Sequence, residues 1–293
     1  MKEITITKND ANQRLDKFLW KTYPQLGKSM MYKAIRNKKI KVNRKRCEFN
    51  QTLVEGDHIL LFLPPDVLVE KEREVVKALP IDIVYEDENL LIVNKPYGLL
   101  SQSDTKESQD CLVTRVQSYL FESGQWDPNA EHAFAPTICH RLDRNTQGLV
   151  VAAKNAQALR IMNEAISNRK VHKFYKAWID GQLDAKDVFM QYYLKKEGTK
   201  AVVKDRPASG FVEAKMKVHV IDTKESKSLI EVELMTGRFH QIRALMAHIH
   251  HPLCHDFKYG SKKKGKYFLQ AYRLDLSEVD LPLQQKIFEI KSK

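Results

Sequence analysis

The order of strand-like and helix-like segments after residue 80 is the feature that most restricts the fold. Three segments have the apolar spacing of helices, at 111–122, 155–168 and 238–249, and Asn155 can cap the second of them. Strands and helices do not alternate regularly, as a doubly wound parallel sheet would require. The pattern predicts an α+β fold with a mixed, largely antiparallel sheet. Its predicted strands are IDIVYED (81–87), LLIVNKPYG (90–98), LVVAAK (149–154), HKFYKAWID (172–180) and SLIEVEL (228–234).

The first 65 residues predict a separate, smaller domain of two helices followed by two strands. Residues 12–23 carry apolar side chains at helical spacing, and Ser29 can cap a second helix over 30–39. The segments IKVN and DHILLFL then predict short strands, and Pro64-Pro65 ends the unit. We therefore predict a domain at 1–65, a linker at 66–80 and a larger domain at 81–293.

Positive charge is concentrated in that first domain. Residues 1–65 carry 14 Lys and Arg against 6 Asp and Glu, a net charge of +8 out of +12 for the whole chain. The segment 28–46 alone has nine basic residues and no acidic one. A solvated basic face is the simple alternative. A patch this dense favours a polyanion through counterion release, so we predict that the partner is RNA or another nucleic acid.

Other features of the chain concern its location. No apolar run approaches the length of about 18 residues needed to span a bilayer, and the N-terminal segment MKEITITKND lacks the pattern of a secretory signal. The four cysteines are far apart and form no CxxC pair, which suits reduced thiols. We expect a cytoplasmic protein with no membrane partner, and a monomer.

Two weak motifs do not predict a cofactor. The segment GSKKKGKY (260–267) has the spacing of a phosphate-binding loop, but Tyr267 stands at the Ser/Thr position and no apolar strand precedes it. His248, His250, His251, Cys254 and His255 could suggest zinc, but adjacent histidines cannot share a helical face and a second cysteine is missing. We therefore expect neither a metal nor a nucleotide cofactor.

The segment HRLDRNTQGLVVAAKN (140–155) places Asp143 between Arg141 and Arg144. Taken alone, such an aspartate is more often part of a structural ion pair than a catalytic group. Three further segments change that interpretation: IVYEDENLLIVNKPYGLL, KFYKAW and TGRFHQIRALMAHIHHPL. In this order, the four segments resemble the RluA family of RNA pseudouridine synthases across about residues 81–275.

The basic N-terminal unit similarly resembles the small RNA-binding domain first known from ribosomal protein S-four, through RLDKFL, GKSMMYKAI and VEGDHI. The resemblance and the basic run suggest candidate RNA contacts at Arg14, Lys28, Ser29, Lys33, Arg36, Lys38 and Arg44. The larger domain also departs from the family pattern. The departures are Ser101-Gln102, Gln147, Leu245 where a histidine is usual, and His250 and His255 where glycines are usual.

The resemblance implies a reaction and a set of roles. Pseudouridine formation breaks the N1–C1′ bond of uridine and joins C5 to C1′, with no redox change. Asp143 would be the catalytic nucleophile or base, and Arg243 would be the guanidinium that faces it and lowers its pKa. Tyr175 would stack on the uracil and is the candidate base for removing a proton. Arg141 would contact the RNA and hold the extruded nucleotide.

The sequence does not determine which RNA is the substrate. The N-terminal domain favours ribosomal RNA, most simply that of the large subunit, by family analogy alone. A transfer RNA pseudouridine synthase and a non-catalytic RNA-binding protein of ribosome assembly are the alternatives. The chemical route also stays open among attack on C1′, attack on uracil C6 and abstraction of a 2′ proton.

Overall fold

The computed structural model describes residues 1–70, 75, 77–103 and 110–291 and contains two β-sheets. Residues 1–70, which we call the small unit, hold a four-stranded sheet in the order β1-β4-β2-β3. Their elements are β1 (Lys2–Thr5), α1 (Leu15–Thr22), α2 (Lys28–Arg36), β2 (Ile40–Val42), β3 (Lys45–Arg46) and β4 (His58–Leu61). The predicted helices and the strands β2 and β4 are present, whereas β1 and the two-residue strand β3 were not expected.

Two details of α2 correct the sequence prediction. Ser29 does not cap this helix, because α2 begins at Lys28 and Gly27 occupies the N-cap position. The helix also ends at Arg36 instead of continuing to residue 39. Lys38 there adopts a left-handed conformation with φ of 60°, which a continuing helix cannot contain.

The larger sheet has eleven strands in the described residues, of which nine follow the order β11-β10-β12-β13-β9-β14-β8-β6-β5. The short strands β7 and β15 pair with β8 and β14. The strands are β5 (Asp82–Glu86), β6 (Leu90–Lys95), β7 (Thr137–Ile138), β8 (Gln147–Ala153), β9 (His172–Asp180), β10 (Asp187–Glu197), β11 (Lys200–Lys204), β12 (Val212–Lys224), β13 (Lys227–Leu234), β14 (Leu269–Asp275) and β15 (Ile287–Glu289). Only β14 and β8 pair in parallel among the described strands. The predicted mixed, largely antiparallel α+β fold is confirmed.

Both faces of this sheet are covered. The helices are α3 (Leu112–Glu122), α4 (Ala156–Ser167) and α5 (Gln241–His248). α3 and α5 pack on one face and α4 packs on the other, so alternate residues of β8 belong to two different hydrophobic clusters. Asn155 caps α4 as predicted, accepting a hydrogen bond from the Ala158 backbone N–H at 2.8 Å.

The parallel junction between β8 and β14 requires a glycine. Gly148 has φ of 118°, and a Cβ there would overlap the backbone carbonyl of Ala271 on β14. This close approach lets β8 enter the sheet directly after the loop that carries Asp143. The glycine of the HRLDRNTQG segment therefore determines where that loop lies.

The small unit contacts the larger one through a buried carboxylate. Asp10 is fully buried and accepts hydrogen bonds from the backbone N–H groups of His132, Ala133 and Phe134 at 3.0, 2.8 and 3.3 Å. Arg160 of α4 donates to the Ala11 carbonyl at 3.3 Å. Most residues of the predicted linker are described, but 71–74 and 76 are not, and its described start packs with the small unit through Val67 and Leu68.

Candidate active site

A cavity of about 1180 Å³ opens between the β7–β8 loop, β9 and the start of α5. We call this cavity the cleft. It brings together four residues from three distant segments of the chain, namely Arg141 and Asp143, then Tyr175, and then Arg243. All four were predicted as site residues.

The loop that carries Asp143 is fixed by backbone contacts. The Thr146 N–H donates to the Asp143 carbonyl at 3.0 Å, which closes a turn before β8. The Gly98 N–H donates to the Arg144 carbonyl at 2.9 Å, and the Arg144 guanidinium donates back to the Gly98 carbonyl at 3.1 Å. Both arginines are exposed at the cleft, but Arg144 is hydrogen-bonded within the loop structure, whereas the Arg141 side chain makes no hydrogen bond among the described residues.

Ser101, a departure from the family pattern, also holds this loop. Its hydroxyl donates to the Leu142 carbonyl at 2.6 Å and accepts from the Leu142 N–H at 3.0 Å. Both groups are buried, so these bonds restrain the residue directly before Asp143. Another departure, Leu245, is fully buried in the hydrophobic core on α5 and does not line the cleft.

Lys95 was not identified from the sequence and lies at the end of β6, behind the loop. It is fully buried, and its ammonium group donates to the carbonyls of Pro96, Leu99 and Arg144 at 3.1, 2.7 and 3.1 Å. Burial lowers its pKa to about 8, and the Asp143 carboxylate opposes that shift. Lys95 therefore ties two loops together and places a positive charge near Asp143.

The electrostatic state of Asp143 differs from the prediction. Its side chain is 32% exposed, and burial raises its pKa above the ordinary value of 3.8, in spite of the opposing charges of Arg243, Lys95, Arg141 and Lys258. We expected a guanidinium to reverse the effect of burial, and that expectation is wrong. Removal of water from the carboxylate outweighs the four cations.

The charge of Arg243 lowers the pKa of Asp143, but the guanidinium makes its hydrogen bonds with another carboxylate. Arg243 donates two hydrogen bonds to Asp256, at 2.6 and 2.9 Å, and both side chains are buried. Its guanidinium also lies 4.8 and 4.6 Å from the ring centres of Tyr259 and Tyr267. Arg243 therefore acts on Asp143 through its charge across the cleft, while Asp256 fixes its position.

His240 is a second residue that sequence analysis missed. It precedes α5 with φ of 53°, and its Nε2 lies 3.8 Å from a carboxylate oxygen of Asp143. Its Nδ1 is 2.8 Å from the Tyr259 hydroxyl. Burial and then the nearby cations Arg243, Lys258 and Lys196 lower the pKa of His240 to about 3, so the imidazole beside Asp143 is neutral.

Tyr175 lies in the cleft on β9 and is 5% exposed. Burial, followed by the negative charge of Asp143, raises the pKa of its phenol. The phenol is therefore protonated at neutral pH and is poorly suited to act as a base. Stacking against a planar base requires no ionisation, and this role suits a buried, protonated Tyr175.

The candidate RNA contacts of the small unit lie outside the cleft. All seven are exposed, and none of them lines the cavity formed by the described residues. Arg14 already has a partner within the small unit, because its guanidinium donates two hydrogen bonds to Asp16 at 3.0 and 2.7 Å. The others form an exposed basic surface on α2 and its flanking turns, consisting of Lys28, Ser29, Lys33, Arg36, Lys38 and Arg44.

His250 and His255 occupy backbone positions that suit glycine. Their φ angles are 65° and 71°, in the left-handed region that residues with a Cβ rarely adopt. The two departures from the family pattern therefore keep the glycine-like conformation while adding an imidazole. Both lie in the connection after α5 that leads to Asp256.

Comparison with known proteins shows the family to which this chain belongs. Residues 89–248, more than half of the chain, match the family model for RNA pseudouridylate synthase. The chain belongs to this family. A protein of Mycoplasma capricolum subsp. capricolum named "uncharacterized RNA pseudouridine synthase" is 31% identical over 97% of this chain and 94% of its own length.

This RNA pseudouridylate synthase is also similar to other relatives and to solved structures. The "ribosomal large subunit pseudouridine synthase C" of Escherichia coli strain K12 is 29% identical over 92% of this chain and 83% of that protein. The solved structure of human RNA pseudouridylate synthase domain containing 4 has a TM-score of 0.59 at 22% identity and covers 72% of this chain and 88% of its own. The human structure supports the fold. In the described residues, no helix has the length and apolar character of a membrane span.

Proposed function

We propose that Asp143 is the catalytic group with which this RNA pseudouridine synthase isomerises uridine in ribosomal RNA of the large subunit. The observation that carries the proposal is a partly exposed carboxylate in a cleft that is otherwise rich in cations. Among the described residues, Glu233 is the other acidic residue that lines the cleft, and it is paired with Lys217 at 3.0 Å. Asp143 is therefore the carboxylate that is free to meet a substrate.

The chemistry requires a group that assists cleavage of the N1–C1′ bond. A desolvated carboxylate is a stronger nucleophile and base than a solvated one, and the raised pKa of Asp143 reflects that desolvation. The bond from C5 to C1′ then forms, C5 loses its proton and N1 gains one. Attack on C1′, attack on C6 and abstraction of a 2′ proton are all compatible with a carboxylate at this position.

The neighbouring residues would hold the substrate and maintain the charge balance. Tyr175 would stack on the uracil, and Arg243, fixed by Asp256, would keep a positive charge near Asp143. Arg141 is exposed at the cleft edge and would contact the RNA backbone once the target nucleotide is extruded.

The small unit would supply most of the general affinity for RNA. Its exposed basic surface, with a net charge of +8 over residues 1–65, suits contacts to phosphates. We infer that residues 1–65 form an S-four-like RNA-binding domain, that 66–80 link it to the rest, and that 81–293 form the catalytic domain. The separate sheet and hydrophobic cluster of the small unit support this division.

Large-subunit ribosomal RNA is the favoured substrate because several relatives, including that of Escherichia coli, are named for it. Mapping of pseudouridines in total RNA, from cells with and without the gene, tests this choice. We expect one or more sites in large-subunit RNA to disappear and to return with the wild-type gene but not with Asp143→Asn. Loss of sites in transfer RNA alone would contradict the substrate. An unchanged map would favour a non-catalytic role.

A further inference from the structure

Lys173 is a cation in the cleft that has no side-chain partner among the residues that the structure describes. It lies on β9 two residues before Tyr175, so both side chains project from the same face of the sheet, and both line the cleft. Lys173 is partly buried. Among the residues that the structure describes, it has neither a hydrogen-bond acceptor nor a carboxylate within contact distance.

The other buried cations of the site are compensated. Arg243 is held by Asp256, and Lys95 is held by three carbonyl groups. Burial lowers the pKa of Lys173 with no counter-charge to oppose it, and the adjacent His140 is also kept neutral by burial and by the Lys173 charge. Such a group destabilises the free protein unless an anion binds it.

The Asp143 carboxylate does not serve as that anion. The cations that act on Asp143 are Arg243, Lys95, Arg141 and Lys258, and Lys173 is not among them. Lys173 lines the cleft together with Ser167 at the end of α4 and with Arg169, Val171 and His172, which follow it. The exposed Arg169 adds a second positive charge at this end.

We propose that Lys173 binds a backbone phosphate of the RNA substrate, one next to the target uridine. The inference rests on the proposed function, because that function requires an RNA strand to enter the cleft with one nucleotide extruded. A strand whose uracil lies between Asp143 and Tyr175 carries phosphates on either side of it. The ammonium of Lys173 is placed to meet one of them, and its missing counter-charge is then supplied by the substrate.

The proposal predicts opposite effects on stability and on binding. Lys173→Met keeps the aliphatic length of the side chain and removes the charge, so the free protein should melt about 1–4 °C higher. RNA affinity should fall by about 10-fold, and the slope of log Kd against log salt should decrease by about 1. A lysine with only a structural role would not combine a higher Tm with weaker binding.

Lys176→Met is the matched control. Lys176 is on the same strand but on the opposite face, where its ammonium lies 4.1 Å from the ring centre of Tyr272. It does not line the cleft. Its substitution should leave both the salt slope and the affinity unchanged, and Tm should not rise.

The deciding experiment uses the full chain and RNA hairpins that contain the mapped uridine, each with one uncharged methylphosphonate linkage. Wild-type enzyme should lose about 10-fold in affinity at one linkage near the target, and Lys173→Met should lose nothing further at that linkage. Equal losses in both proteins at every linkage, or a lower Tm with unchanged binding, would overturn the proposal. If wild-type enzyme binds the hairpin but forms no pseudouridine, the proposed function fails, while the phosphate contact is still measured.

Discussion

The cleft and the small unit use positive charge in opposite ways. Arg243 lines the cleft and is 5% exposed, Lys95 is fully buried behind the loop that carries Asp143, and each is fixed by several hydrogen bonds. On the small unit, the basic side chains of α2 extend into solvent. Buried charges act strongly on one neighbour and are costly to leave unpaired, whereas exposed charges act weakly and are screened by salt.

This difference assigns the reactivity of Asp143 to one region and the affinity for RNA to the other. Charges in the cleft should control the ionisation of Asp143 and the stability of the protein. Charges on the small unit should control how tightly RNA binds and how strongly binding depends on salt. Substitutions in both regions and one pH profile test whether the cleft controls reactivity and the small unit controls affinity.

Asp143→Asn should have the largest effect. The amide can neither attack a carbon atom nor accept a proton usefully, so turnover should fall by about 10⁴-fold or more. Binding to the RNA hairpin should survive, and Tm should not decrease, because the carboxylate is destabilised by burial. Pseudouridine formation, RNA affinity and Tm are measured on one preparation. Turnover near that of the wild type would remove Asp143 from the mechanism.

Arg243→Leu should damage both stability and rate. It leaves the Asp256 carboxylate buried without a partner, which costs about 3–5 kcal/mol in the free energy of unfolding. Arg243→Leu combined with Asp256→Leu should recover stability but not turnover. Denaturant unfolding of both variants measures the difference. Full recovery of turnover in the double variant would show that the Arg243 charge has only a structural role.

The pH dependence of kcat/KM provides a second measurement on the same residues. The pKa of Asp143 lies above 3.8 in the folded protein, and only the ionised carboxylate is competent, so activity is lost as the pH falls through that raised pKa. The charge of Arg243 lowers this pKa. In the double variant the acid limb should therefore move to higher pH. An unmoved limb would mean that the titrating group is not Asp143.

Asp10→Ala tests whether the two regions must be held together. It removes the acceptor of three backbone N–H groups at residues 132–134 and should cost about 2–3 kcal/mol of unfolding free energy. RNA KM should rise several-fold, because the small unit is held less firmly by its remaining contacts, while kcat at saturating RNA stays near the wild-type value. Asp57→Ala is the control, since Asp57 makes similar buried contacts within the small unit alone. An equal rise of KM in both variants would exclude a specific role for the connection.

The combined change Lys33→Gln, Arg36→Gln and Lys38→Gln should have the smallest effect on chemistry. All three side chains are exposed, so Tm should change by less than about 2 °C. RNA affinity should fall by about 10-fold at moderate salt, with a shallower salt slope and unchanged kcat. The control replaces the exposed lysines 186, 224 and 286, which are outside the small unit and do not line the cleft. Equal losses in both variants would mean that RNA binding follows net charge and not the small unit.

Some strands of the fold lacked a recognisable sequence pattern. β9 alternates buried and partly exposed residues and was predicted with its observed bounds. β10 was missed, because Phe189 lies on its solvent face at 57% exposure and blurs the alternation of the buried Met190 and Leu194. β1 has four residues and one buried side chain, Ile4, and only its pairing with β4 makes it a strand. Local patterns thus identified strands whose burial is regular and missed those that depend on a neighbour.

The sequence by itself determined the features that depend on local order. It determined the α+β class, the cap of α4 at Asn155, the basic surface of the small unit and the motifs that carry Asp143, Tyr175 and Arg243. The tertiary structure decided which charges meet. Arg243 is held by Asp256, Lys95 donates to the Arg144 carbonyl 49 residues away, and burial sets the pKa of Asp143. These outcomes depend on how deeply each charged group is buried and on which group from a distant part of the chain lies beside it. A local sequence pattern contains neither kind of information.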